Sequence, residues 1–140
     1  MAENSKPVLT GGCQCGAVRF ALSVPPPKVS ICHCRMCQKA SGAPFASLAD
    51  IEHEHFTWTR GKPASFQSSS IAERDFCADC GTGLFYVNSQ MLPGIIDIQS
   101  ATYDDPDSVP ARAHIQVAER IGWMTRAHEL PVFERYPPQG

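Results

Sequence analysis

The chain has 140 residues, 43% of them apolar, and twelve Lys/Arg against fourteen Asp/Glu give a formal charge of −2. That length fits one domain, and the absence of any Lys/Arg run argues against a nucleic-acid surface. No stretch approaches the ~20 consecutive apolar residues of a bilayer-spanning helix, so no membrane association is expected.

Met1 to Pro7 is polar, lacks the apolar stretch of a signal peptide, and reads with Val8 as a flexible segment over 1–8. The expected compartment is therefore the cytoplasm, where thiols stay reduced. Twelve prolines and ten glycines leave no long helical pattern. A small, mainly β single domain with short helical turns and an external staple is the first expectation, because small domains bury modest cores.

Gly11-Gly12 precedes Cys13, and Ala17 to Leu22 then alternates, with Val18, Phe20 and Leu22 on one face and Arg19 on the other. After Pro25-Pro26-Pro27, Val29 to His33 suits a short strand and Met36 to Ala40 about one helical turn. Phe45–Ala49, His55–Thr59 and Ile71–Phe76 read as strands divided by Gly61, Pro63 and a serine run. Leu84–Val87 and Ile95–Ile98 follow, interrupted by Pro93-Gly94. Asp104 to Asp107 is a turn or one capped helical turn, and His114–Val117 is a further strand. The domain is expected over 9–130, with 131–140 a loose tail.

The seven cysteines fall into three groups: Cys13 and Cys15; Cys32, Cys34 and Cys37; Cys77 and Cys80. Residues two apart in an extended segment project from the same face, so Cys13 and Cys15 can offer two thiolates to one ion. Cys77-Ala78-Asp79-Cys80-Gly81 is a C-x-x-C knuckle. Two such pairs are the usual supply for a tetrahedral zinc, whereas Cys32, Cys34 and Cys37 leave one coordination position for water or substrate. Four plus three uses all seven, and an odd count fits a disulfide framework badly.

Other readings compete. The seven could be core thiols with a C-x-x-C redox pair, or the trio could be closed by a histidine as fourth ligand. A disulfide-stapled secreted domain lacks its signal peptide. Knuckle geometry favours zinc, and spacing leaves copper and iron–sulfur open. His33, set between two ligands, is expected to point away from them and to pack or support the site from behind. Trp58 and Trp123 are expected in the core or in cleft walls.

Gly12-Cys13-Gln14-Cys15-Gly16, the run Cys32 to Gly42 and Phe76-Cys77-Ala78-Asp79-Cys80-Gly81-Thr82 resemble the glutathione-dependent formaldehyde-activating enzymes, whose domain the relatives of centromere protein V share. Asp105-Pro106, His114-Ile115 and Trp123 extend the likeness from about Gly11 to Trp123. The resemblance implies a β-tent fold stapled by zinc. It also implies two zinc ions, one structural on Cys13, Cys15, Cys77 and Cys80, and one catalytic and more labile on Cys32, Cys34 and Cys37.

The implied activity is that of a carbon–sulfur lyase joining a small aldehyde, formaldehyde in the family, to a thiol such as glutathione. Cationic groups for the two carboxylates of glutathione would come from among Arg35, Lys39, Arg60, Lys62 and Arg74. A non-catalytic zinc-binding interaction module of the same fold is the alternative, although no basic tail accompanies it here. A zinc-containing methionine sulfoxide reductase would need a nucleophilic cysteine outside the metal-like clusters, and none is present.

Overall fold

The computed structural model describes residues 6–138; of the segment expected to be flexible, residues 1–5 lie outside the described residues, as do 139–140 of the tail. Ten short strands and one helix follow in order: β1 (Leu9–Gly12), β2 (Arg19–Leu22), β3 (Lys28–Cys32), α1 (Arg35–Ser41), β4 (Ala46–Glu52), β5 (Phe56–Arg60), β6 (Ala64–Gln67), β7 (Glu73–Phe76), β8 (Gly83–Val87), β9 (Ile95–Gln99) and β10 (Ala113–Ile115). The fold is mainly β, as the proline and glycine punctuation predicts. No helix among the described residues is long and apolar enough to cross a membrane.

The strands form two sheets. One has the order β1-β2-β5, and the other β10-β3-β4-β9-β8-β7-β6. All pairings are antiparallel except β10 with β3. The core lies where the sheets face each other. Phe20, Phe56 and Trp58 from the smaller sheet gather on Phe85 of the larger one, with ring centroids 5.1–5.4 Å from it. Ala49, Ile51, Ile96 and Ile98 complete the same cluster. Each fully buried aliphatic or aromatic side chain here contributes about 1.5–3 kcal/mol of transfer free energy.

Trp58 therefore sits where the sequence places it, among core rings. Trp123 lies outside the core, 57% exposed, in the wall of a shallow cleft with Arg126, Glu129 and Leu130. Two strands were not evident in the sequence. Thr10-Gly11-Gly12 has little intrinsic strand preference, but a Cβ on Gly11 would lie 2.6 Å from the Phe20 ring, so only glycine lets β1 close on β2. Strand β6 lies between Pro63 and the serine run, on the free edge of its sheet. The expected strand over His114–Val117 stops at Ile115, because Gln116 takes a left-handed conformation (φ 56°) that turns the chain away.

Register across the large sheet aligns Lys28, Asp50, Asp97, Tyr86 and Arg74 as successive cross-strand neighbours. Cross-strand partners share a face, so two carboxylates stand side by side. Asp97 is only 8% exposed, and its Oδ1 is buried without a partner. Burial first, and Asp50 second, push the Asp97 carboxyl up to about 9, partly opposed by Arg74. The register that sets Asp97 beside Asp50 makes its burial costly.

Between the ordinary aspartate range and about pH 9, the folded protein holds a proton that the unfolded chain has released, so stability falls as pH rises through that window. Asp97→Asn should raise the thermal midpoint at pH 8 and leave it nearly unchanged at pH 4. Thermal melts of metal-loaded protein across pH 4–9 check this, and parallel profiles for the two proteins would count against the buried carboxyl as the cause.

Candidate metal centre

Two cysteine clusters assemble. Cys13 and Cys15 follow β1, and Cys77 and Cys80 lie in the turn between β7 and β8. Their four sulfurs lie within 4.8 Å of one another, with Cys13–Cys15 at 3.6 Å and Cys15–Cys77 at 3.8 Å. A disulfide needs about 2.05 Å. Four sulfurs each ~2.3 Å from a central ion at tetrahedral angles stand about 3.8 Å apart, so the spacing is that of a tetrahedral thiolate site.

Both arms of this cluster are built alike. Gly16 N–H donates to the Cys13 carbonyl (3.2 Å) and Gly81 N–H to the Cys77 carbonyl (2.8 Å). The two glycines have φ of +82° and +81°, a conformation that L side chains rarely adopt. Val18 N–H points at the Cys13 sulfur at 3.3 Å. Thr82 joins the two turns: its hydroxyl lies 3.1 Å from the Cys80 sulfur and accepts from Gln14 N–H at 3.1 Å. The Thr82 hydroxyl, with the Thr82 and Cys15 amides, brings the Cys80 thiol down to about 5. These donors favour thiolates, the form that binds metal.

The second cluster is local. Cys32 ends β3, Cys34 caps α1 and Cys37 lies in its first turn. Cys34 Sγ accepts from Cys37 N–H at 3.3 Å. The three sulfurs lie within 4.8 Å of one another, and no fourth Cys, His, Asp or Glu among the described residues joins them. Burial and the adjacent thiols raise Cys37 above the ordinary thiol range. Burial opposes ionisation at Cys34 too, but the Cys37 amide and the neighbouring sulfurs outweigh it and lower its pKa. Three soft donors with an open place fit a thiophilic divalent ion.

His33 turns away from this trio, as strand alternation predicts. It is buried, and its Nε2 lies 2.9 Å from His114 Nδ1 on β10, with the two rings stacked at 5.1 Å. Gln38 was not singled out in the sequence, yet it locks the trio's loop. Its Nε2 donates to the His33 carbonyl (2.7 Å) and to the Glu119 carbonyl (3.1 Å). Arg35 donates from its guanidinium to Gln38 Oε1 and from its backbone N–H to Glu119 Oε2. Glu119 lies 84 residues beyond Arg35, so no local pattern could have linked them.

Beside α1 runs a cleft of about 580 Å³, lined among others by Arg35, Met36, Lys39, Phe66 and Arg74; no cysteine lines it. Of the five cations proposed for substrate carboxylates, Arg35, Lys39 and Arg74 come together there. Arg60 does not; it reaches the Gly16 carbonyl at 3.4 Å. Lys62 is also outside the cleft lining. Arg74 is held over the Tyr86 ring, 4.8 Å from its centroid.

Comparison with known proteins agrees with this geometry. Residues 8–119 match the family described as "Glutathione-dependent formaldehyde-activating enzyme". A Schizosaccharomyces pombe protein named as an uncharacterized lyase is 30% identical over 115 residues, 72% of this chain and 83% of its own length. A Halomonas elongata protein, provisionally named a glutathione-dependent formaldehyde-activating enzyme, is 26% identical over 125 residues, 84% of this chain and 80% of its own. A crystal structure of a Rhodobacter sphaeroides protein superposes with a TM-score of 0.60 at 20% identity, over 75% of this chain and 98% of that one, which shows the shared fold. With the match covering both cysteine clusters and most of the chain, this protein belongs to the glutathione-dependent formaldehyde-activating enzyme family.

Proposed function

We propose that this chain is a two-zinc enzyme of the formaldehyde-activating type, forming or cleaving a carbon–sulfur bond between a glutathione-like thiol and a small aldehyde. Cys13, Cys15, Cys77 and Cys80 hold the structural ion. Cys32, Cys34 and Cys37 hold the catalytic one. The observation that carries the reading is the second cluster: three convergent sulfurs with no fourth protein donor among the described residues, on a helix that also borders a cationic cleft. Family membership and relatives named for lyase and formaldehyde-activating activities support it.

Cys32, Cys34 and Cys37 would hold the ion, which when bound would supply an open coordination position and acidify an incoming thiol. The chain's own residues do the rest. Arg35, Lys39 and Arg74 offer three positive charges to a thiol carrying carboxylates, in a cleft that also presents Met36 and Phe66 to its apolar parts. Holding thiolate and carbonyl together raises their effective concentration, the main service a protein can render to an addition that is intrinsically easy. The sulfur–carbon bond forms as the carbonyl π bond opens, and the proton lost by the thiol ends on the new hydroxyl oxygen. Gln38 and Glu119 keep the trio's loop and Arg35 in fixed relation. A purely structural zinc module would require neither an open trio nor a cleft beside it.

Three measurements test this. Anaerobically purified protein should carry two zinc ions per chain, one removed by mild chelation and one retained; a single chelation-resistant ion would leave only the structural half. Cys34→Ser should lower zinc to one per chain and abolish thiol–aldehyde turnover while near-ultraviolet circular dichroism stays native. Undiminished turnover would sink the catalytic assignment.

Arg74→Ala should raise KM for glutathione about tenfold and change kcat much less, as loss of one charge-assisted contact predicts. The comparison thiol is cysteamine, which has no carboxylate. An equal KM change for cysteamine would show that Arg74 acts on the fold and not on the substrate's charge.

A further inference from the structure

The core ends early. Val109 is the last buried residue, and every described residue from Arg120 onward is at least partly exposed. The segment 117–138 is tied to the body at its base, where the Glu119 carbonyl and carboxylate accept from Gln38 and Arg35. From Arg120 on, the hydrogen bonds found among the described residues stay within the segment, among them Arg120 N–H to Val117, Met124 N–H to Ile121, Thr125 hydroxyl to Gly122, Leu130 N–H to Ala127, and Arg126 to Glu129. Eight of its residues, Gly122–Glu129, form a 3₁₀ helix. Such a helix is weak without packing, since runs beyond 3–4 residues are uncommon.

This arm is also apolar on its exposed surface. Val117, Trp123, Leu130, Val132, Phe133 and Tyr136 all face outward, with Trp123 57%, Val132 89% and Tyr136 92% exposed. Strand β10, which leads into the arm, is wholly exposed and has one free edge. We propose that β10 and the arm form a self-association surface, and that its occupant is a second copy of this chain in a two-fold dimer.

Two observations favour a second copy over a foreign partner. The six apolar side chains expose on the order of 700 Å², taking ~150–250 Å² for a large aromatic residue. Contributed once by each copy, that is about 1,400 Å², within the ~1,200–2,000 Å² of stable interfaces and above what isolated monomers usually leave exposed. Arg126 and Glu129 pair with each other and Glu119 is tied to Arg35, which leaves Arg120, Glu134 and Arg135 to present charges of both signs to a second copy. A surface carrying both signs can complement itself under two-fold symmetry, where each residue meets its counterpart's neighbour. The family match ends at residue 119, close to the base of the arm.

Sedimentation equilibrium of the full zinc-loaded chain at tens of micromolar should give about twice the 15.3 kDa chain mass. Trp123→Ala combined with Phe133→Ala should return it to the single-chain mass with zinc content and far-ultraviolet circular dichroism unchanged. In Trp58→Phe, the remaining Trp123 emission should be blue-shifted at high concentration and move to the red on dilution.

A chain that stays monomeric throughout would overturn the proposal. So would a dimer that survives the double substitution. Blue-shifted Trp123 emission without dimerisation would place the arm on its own body. A monomer that associates only with a different added protein would assign the surface to that partner. Either outcome would overturn self-association and leave the zinc chemistry untouched.

Discussion

Cys13 and Cys15 leave the end of one sheet, Cys77 and Cys80 turn between two strands of the other, and the four sulfurs meet within 4.8 Å. Four thiolates at such range repel one another strongly, so the arrangement calls for a cation at its centre. A structural zinc contributes on the order of 10 kcal/mol of apparent binding free energy, comparable to the entire net stability of a small domain. A zinc bound there would tie the two sheets together beside the core cluster that Cys13 and Cys77 share with Phe20 and Phe85. Gly16, Gly81 and Thr82 are its local supports: two turns that admit positive φ, and one hydroxyl that reaches both halves.

With the sheets fixed, the strand order decides what α1 faces. β3 delivers Cys32 to the start of the helix, and the edge strands β6 and β7 bring Phe66 and Arg74 opposite its Met36 and Lys39. The parallel pairing of β10 with β3 sets His114 against His33 and carries the chain back to Glu119, which meets Arg35 and Gln38. The trio is thus local in sequence but held from outside. Its three cysteines lie within six consecutive positions, whereas its orientation depends on contacts more than eighty residues away. The same sheet tolerates a buried carboxylate at Asp97, one of the costs of a register set by the larger core.

Much of the metal chemistry was legible in the chain. C-x-C, C-x-C-x-x-C and C-x-x-C spacings depend only on backbone geometry within a few residues, so the sequence states which sulfurs can share an ion. Alternation around Val18, Phe20 and Leu22 and around Ile95 to Ile98 located strands for the same reason. Less was legible where pairing overrides propensity. The Gly11-Gly12 strand exists because Phe20 leaves no room for a side chain, and β6 exists because β7 offers an edge.

Residue types and their local spacing determined the three cysteine groups, the mainly β character and the outward turn of His33, because each is set by periodicity over a few bonds. Tertiary structure alone decided which cations share a cleft, bringing Arg35, Lys39 and Arg74 together and leaving Arg60 and Lys62 elsewhere. It also decided that Asp97 is buried beside Asp50, and that Trp123 stands outside the core. The physical reason is common to all three. Cross-strand register and chain return are fixed by the summed packing of the whole core, and no single segment carries that sum.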